Sequence, residues 1–97
     1  MFSMSFSINQ QLFYVEAHIG ESLLQIAKRN DLPIDGACGG NLACSTCHIV
    51  MPEEFYIPPS YDEENLLDFV NNLRPTSRLG CQVFFLESMH NMTVTIP

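Results

Sequence analysis

The chain has 97 residues, of which 46% are apolar and 15% charged, so we expect one globular domain rather than a disordered segment. Eleven acidic residues against four basic ones give a net charge of −7, which argues against a nucleic-acid partner because phosphates would repel such a surface. No apolar run approaches the roughly 18 residues that a transmembrane helix requires, so we expect no membrane insertion.

The N-terminal stretch predicts a β-hairpin. Residues 2–8 alternate strictly between apolar side chains and serines, which is typical of a strand with one buried face. A return strand is expected over residues 11–17, with Phe13, Val15 and Ala17 on its inner face, after a tight connection at Asn9-Gln10.

A first helix is predicted to follow Gly20-Glu21-Ser22. Leu23, Ile26 and Ala27 have helical spacing, and Lys28-Arg29 near the end suit the helix dipole. Asn30-Asp31 and then Pro33 are expected to end this helix.

The four cysteines follow one pattern, Cys38-x5-Cys44-x2-Cys47-x33-Cys81. The residues between the first three are small, which leaves peptide N–H groups free to donate to thiolate and sulfide sulfurs. Four thiolates with such donors favour an iron–sulfur cluster. Spacing alone leaves two alternatives open: a four-cysteine zinc site, which usually shows two Cys-x2-Cys pairs, and a redox-active dithiol pair.

An acidic helix is predicted in the second half of the chain. We expect a short strand at residues 48–51 and then a helix from about Tyr61 to Leu73, opened by a capping box of Ser60 and Glu63. Its buried stripe would consist of Leu66, Phe69, Val70 and Leu73.

Residues 82–86 and 92–96 predict two further strands around a turn at His90-Asn91. With the other elements they indicate an α+β protein in which a mixed sheet curls over a helix. We expect Met89 and Met92 to pack in the core or at its edge.

Three blocks of the sequence resemble the adrenodoxin-type, or vertebrate-type, [2Fe–2S] ferredoxins. The first is ACGGNLACSTCHI at residues 37–49, where five residues follow the first cysteine instead of the four of plant-type ferredoxins. The second is DEEN at residues 62–65 with Leu67-Asp68, followed by SRLGCQ at 77–82, and the third is residues 89–97. The blocks keep the order they have in that family and cover nearly the whole chain.

The resemblance implies a β-grasp, ubiquitin-like ferredoxin fold, with a mixed sheet of about five strands, a packed helix and a second short acidic helix. Residues 1–97 would form a single [2Fe–2S] ferredoxin domain that holds one cluster. Cys38 and Cys44 would ligate the inner iron, and Cys47 and Cys81 the outer iron.

The resemblance further implies an electron-transfer protein that is not an enzyme. Electrons would pass from an NAD(P)H-dependent flavoprotein ferredoxin reductase to iron–sulfur assembly proteins, or alternatively to cytochrome P450 enzymes. In this family both partners dock on the acidic helix, whose positions match Asp62, Glu63, Glu64 and Asp68 here. A rival hypothesis of a different class is an interaction module stabilised by zinc on the four cysteines.

We expect a monomer in the mitochondrial matrix or a mitochondrion-derived organelle, with the bacterial cytoplasm as the alternative. Two other residues carry structural expectations. Arg78 is expected to lock the fold. His48 is expected to be a strand residue with a satisfied hydrogen bond, and the resemblance suggests that it links the cysteine loop to another part of the fold.

Overall fold

The computed structural model describes residues 2–34, 47–70 and 72–97. Within these ranges, five strands form one mixed sheet in the order β2-β1-β5-β3-β4. In chain order the elements are β1 (Phe2–Ile8), β2 (Gln11–Ala17), α1 (Leu23–Arg29), β3 (His48–Val50), α2 (Tyr61–Leu67), β4 (Ser77–Leu79) and β5 (Thr93–Ile96). No helix in the described part of the chain is long and apolar enough to cross a membrane.

The predicted N-terminal hairpin is confirmed. β1 and β2 are antiparallel, and Ile8 pairs with Gln11 across the turn. Asn9 and Gln10 both have positive φ angles, 52° and 67°, as in the two-residue turns whose twist matches that of the flanking strands. β1 also pairs in parallel with β5, which places β1 inside the sheet.

Helix α1 begins with a complete capping box. The Gln25 backbone N–H donates to Ser22 Oγ at 3.1 Å, and the Ser22 N–H donates to Gln25 Oε1 at 2.9 Å. These bonds satisfy two groups at the helix start, so the helix begins at Leu23. The buried side chains of α1 join the core with residues from the sheet, among them Met4, Phe6, Ile49, Leu79 and Val94.

Glu21 is tied to the end of α1 by an ion pair with Arg29, at 2.7 Å. Partial burial opposes the charge of Glu21, but hydrogen bonds from the Arg29 side chain and the His18 backbone outweigh it and lower the pKa of this carboxyl. The pair connects the chain before α1 to the last turn of the helix.

Helix α2 ends at Leu67, so the prediction of a helix reaching Leu73 is wrong. The Phe69 N–H donates to Leu66 O at 3.0 Å, which is a bond over three residues and closes the helix with a tighter turn. Asn72 then adopts a left-handed conformation, with φ 62°. As a result Phe69 and Leu73, which were predicted to be buried, are 77% and 53% exposed.

The strand predicted over residues 82–86 is also wrong. Gly80–Gln82 is a 3-10 turn, and Phe84 makes only an isolated bridge with Ser22. The backbone of this segment bonds to the start of α1, because Leu23 N–H donates to Val83 O at 2.8 Å and Phe85 N–H donates to Glu21 O at 2.8 Å. The strand of this region is β4, which precedes the turn, while the predicted C-terminal strand is found as β5.

Candidate metal centre

Two of the four predicted ligands lie in the described part of the chain and meet at one end of the β3–β4 pair. Cys47 directly precedes β3, and Cys81 follows β4 after a single glycine. The strands are antiparallel, with His48 opposite Leu79, and Gly80 N–H donates to Cys47 O at 2.8 Å. The pairing therefore brings together two cysteines that are separated by 33 residues in the sequence. Both are buried.

Gly80 allows this close approach. A Cβ atom at this position would lie 3.2 Å from Cys47 O and 3.4 Å from Leu24 N, both of them backbone atoms. Because neither atom can move without disturbing the sheet or the start of α1, glycine suits this position and a larger residue would separate the two cysteines.

A polar side chain donates to the sulfur of one cysteine. Gln82 Nε2 lies 3.7 Å from Cys81 Sγ, with the geometry of a hydrogen bond. An N–H donor disperses the negative charge of a thiolate, and such contacts tune metal–thiolate centres. Two buried sulfurs with an amide donor fit half of a four-thiolate site.

The other two predicted ligands, Cys38 and Cys44, lie outside the described residues. Within residues 2–34, 47–70 and 72–97, no three His, Cys, Asp or Glu side chains come close enough to hold a metal ion. The assignment of all four cysteines as ligands therefore stays a prediction.

Arg78, which was expected to lock the fold, does so through a buried ion pair with Glu63. Arg78 Nε donates to Glu63 Oε2 at 2.6 Å and Arg78 Nη2 to Oε1 at 2.8 Å, and the Leu79 N–H also donates to Oε2 at 2.9 Å. Arg78 Nη1 further donates to Ile57 O at 2.6 Å. This network fastens α2 to β4 at Arg78 and Leu79, three and two positions before Cys81.

The structure corrects the role predicted for Glu63. Its side chain is turned into the core, where the residue is 1% exposed, so it is not available to a docking partner. The same orientation leaves the capping box of α2 half formed: Glu63 N–H donates to Ser60 Oγ at 3.3 Å, while the Glu63 carboxylate is occupied by Arg78.

The other three predicted docking residues are exposed. Asp62 and Glu64 lie in the first turn of α2, and Asp68 caps its C-terminal end. The whole chain has only four Lys and Arg residues. Arg78 is balanced by Glu63, and Arg74, which lines a groove with Glu64 and Asp68, adds a single positive charge beside three exposed carboxylates. The exposed face of α2 is therefore acidic.

His48 makes the hydrogen bond that its strand position required. Its Nε2 shares a hydrogen bond of 2.7 Å with Ser77 Oγ. Ser77 Oγ in turn accepts from the Arg74 N–H at 2.8 Å. The bond joins the residue after Cys47 to β4. Ser77 and Gly80 were missed as contributors to this region, because no local pattern shows that they approach residues roughly thirty positions earlier. Gln82 was missed because its place next to Cys81 in the sequence does not show that its side chain turns onto the sulfur.

A family model described as "2Fe-2S iron-sulfur cluster binding domain" matches residues 6–85 of the chain. Among characterised relatives, a 2Fe-2S ferredoxin of Rickettsia conorii is 50% identical over 86 residues, which are 86% of this chain and 77% of the relative. Sheep (Ovis aries) adrenodoxin is 46% identical over 84 residues, which are 81% of this chain and 66% of the length of the adrenodoxin.

Solved structures of ferredoxins share the fold of this protein over nearly the whole chain. A ferredoxin from Rhodopseudomonas palustris superposes with a TM-score of 0.92 at 30% identity, covering 98% of this chain and 95% of that one. An ISC-like [2Fe-2S] ferredoxin from Pseudomonas putida gives 0.84 at 31% identity, covering 100% and 93%. Putidaredoxin in a covalent complex with putidaredoxin reductase gives 0.91 at 29% identity, covering 98% and 97%.

The expected β-grasp ferredoxin fold is therefore confirmed. The chain belongs to the adrenodoxin-type [2Fe–2S] ferredoxins. It carries one [2Fe–2S] cluster, and like its relatives it is an electron carrier rather than an enzyme. The zinc-module hypothesis is thereby set aside.

Proposed function

We propose, from the membership of this chain in the [2Fe–2S] ferredoxin family, that it accepts electrons from an NAD(P)H-dependent flavoprotein reductase and delivers them to iron–sulfur cluster assembly. Cys38, Cys44, Cys47 and Cys81 are the proposed ligands of the cluster. When bound, the cluster supplies reversible one-electron oxidation and reduction.

One observation carries the proposal: helix α2 has an acidic exposed face and is itself bonded to the strand that precedes Cys81. Asp62, Glu64 and Asp68 are exposed on α2, and Glu63 beneath them holds Arg78 in β4. A partner bound to these carboxylates would be held at a fixed distance from Cys81, because α2 cannot shift without breaking a buried ion pair. A fixed geometry suits electron transfer, whose rate depends on distance.

The net negative charge of the chain supports a partner with a basic contact face. A net charge of −7 attracts proteins with a basic contact face and raises the rate of encounter, an effect that weakens as salt increases. The covalent complex of the similar putidaredoxin with putidaredoxin reductase supports a reductase as one partner. The likeness to an ISC-like ferredoxin supports cluster assembly as the destination of the electron.

The residues around Cys47 and Cys81 have defined tasks in this proposal. Gln82 donates to Cys81 Sγ and balances part of its negative charge. Gly80, directly before Cys81, keeps its own backbone in contact with that of Cys47, and the His48–Ser77 bond keeps β3 and β4 in register beside them. These groups hold the ligand sulfurs in place between the two charge states, which keeps reorganisation small.

We propose a monomer, in the compartment where clusters are assembled. The relative from Rickettsia supports the bacterial cytoplasm, and the relation to adrenodoxin supports the mitochondrial matrix or a mitochondrion-derived organelle. Cell fractionation with an antibody against the chain distinguishes these locations.

The experiment that tests the function uses the purified holoprotein. Equal amounts of iron and labile sulfide, a red-brown colour and reduction by NAD(P)H with the reductase from the same genome are expected. The reduced protein should then support cluster assembly on the scaffold protein of that genome. If it reduces a cytochrome P450 of that genome but does not support assembly, the P450 alternative is correct.

A further inference from the structure

A shallow groove lies beside Cys81 and is lined mostly by apolar side chains. Its volume is about 260 Å³, and its rim includes Ile57, Phe84 and Leu86. We call these three residues the apolar patch. They are 52%, 51% and 46% exposed, which is a large exposure for side chains of this size at neighbouring positions.

The backbone that carries the apolar patch is firmly held. Phe84 and Leu86 alternate with buried Val83 and Phe85, so both project outward from one extended segment. That segment is fastened to the start of α1 by the bonds of Val83 O and Phe85 N–H, and Ile57 O accepts from Arg78 Nη1 at 2.6 Å. Because the backbone is already fixed, a partner that covers these side chains does not also have to order the segment that carries them.

The groove leads to a proposed cluster ligand. Gln82 lines it, and the same side chain donates to Cys81 Sγ at 3.7 Å. A side chain seated in the groove would touch Gln82 and so lie one hydrogen bond from that sulfur. A redox partner that covers this groove would therefore lie close to Cys81, one of the proposed cluster ligands.

The groove is linked to α2 through Arg78. Arg78 lines the groove and is bonded to Glu63 of α2, so it adds no uncompensated positive charge. Asp62 lies one residue from Glu63 on the same helix, and exposed Glu87 directly follows Leu86. A complementary surface would therefore be basic around a projecting apolar side chain.

We propose that the apolar patch is the contact that the redox partner covers once the acidic face of α2 has attracted it. The occupant is an apolar side chain of the partner, flanked by Lys or Arg. The carboxylates govern the rate of encounter, while the patch governs the lifetime of the complex next to Cys81. This inference rests on the proposed function and adds the short-range half of the docking surface.

The test compares two matched double substitutions in the holoprotein. F84S/L86S removes two of the three side chains of the patch, and L12S/I19S removes two side chains of similar exposure, 46% and 56%, in and just after β2. With the flavoprotein reductase from the same genome, F84S/L86S is expected to raise the KM for the ferredoxin roughly tenfold or more. Its kcat/KM should keep the wild-type dependence on salt, and L12S/I19S should match the wild type in both respects.

A conservative variant guards against a folding artefact. F84L/L86M keeps an apolar surface and should restore a KM near that of the wild type, and all variants should keep the visible spectrum of the holoprotein. If F84S/L86S has the KM of the wild type, the inference fails while the proposed function stands. If the wild type takes no electrons from the reductase, the proposed function fails and this inference fails with it.

Sedimentation tests whether a second copy of the chain, rather than a redox partner, covers the apolar patch. The wild type is expected to be a monomer at the concentrations of the assay. If it forms a dimer that F84S/L86S abolishes, the patch is covered by a second copy of the chain, and the inference of a redox partner there is overturned.

Discussion

Arg78 holds both carboxylate oxygens of Glu63, from Nε at 2.6 Å and from Nη2 at 2.8 Å, with the side chains 8% and 1% exposed. The pair joins α2 to β4 next to the proposed ligand Cys81. Removing one partner of a buried pair leaves the other charge without compensation, which costs more than the pair itself contributes. The pair therefore fixes where the acidic face lies relative to Cys81.

Glu63→Gln should destabilise the protein by about 3 kcal/mol, because it leaves the buried Arg78 charge uncompensated. Urea denaturation of the holoprotein measures this change. Glu64→Gln makes the same substitution at the next residue, which is exposed, and should change the free energy of unfolding by less than about 0.5 kcal/mol. Equal unfolding midpoints for the two variants would contradict the structural role of the pair.

Replacing Asp62, Glu64 and Asp68 together by their amides should slow reduction by the reductase at low salt, because three steering charges are lost. The dependence of kcat/KM on ionic strength should become flatter. Stopped-flow reduction across a salt series measures both effects. The control neutralises Glu16 and Asp31, which are exposed outside α2, and it should keep a steeper salt dependence than the α2 variant.

Should the α2 variant and the control show the same kinetics at every salt concentration, α2 is not the docking surface. This outcome would leave the electron-carrier assignment intact, because that assignment rests on the family.

Cys81→Ser should abolish stable cluster binding, because a hydroxyl is a much poorer ligand for iron than a thiolate. Visible absorption and the rhombic resonance of the reduced state are the measurements. Ser5→Ala, a similarly small change at a buried position of β1, should leave both signals unchanged. A Cys81→Ser protein with normal spectra would remove Cys81 from the ligand set.

Gly80→Ala should destabilise the protein by roughly 1–3 kcal/mol and reduce cluster content, because the added methyl group meets Cys47 O at 3.2 Å. Gly20→Ala provides the comparison. Gly20 has φ +92° with nothing within 4 Å of an added Cβ, so alanine there costs about 1 kcal/mol of backbone strain and should leave the spectrum unchanged. Full cluster content in Gly80→Ala would show that Gly80 does not set the cysteine contact.

Local patterns predicted the elements whose packing is also local. The alternation of residues 2–8 placed β1 and its buried face, and the two-residue connection gave the hairpin. Local patterns failed at Phe69 and Leu73. Their spacing continues the apolar stripe of a helix, but nothing in the described structure packs over these two side chains. Whether an apolar stripe is buried depends on what packs against it, and this is not encoded in the spacing of the stripe itself.

For the site, the sequence alone determined the chemistry: a set of four cysteines with small intervening residues, and an acidic segment before the last of them. Only the tertiary structure decided how these parts are used. It placed Cys47 against Gly80–Cys81, turned Glu63 inward onto Arg78 while its neighbours stayed outside, and left Phe84 and Leu86 exposed beside Gln82. Each of these outcomes depends on contacts between residues far apart in the chain, which the pairing of β3 with β4 and the packing of α2 create.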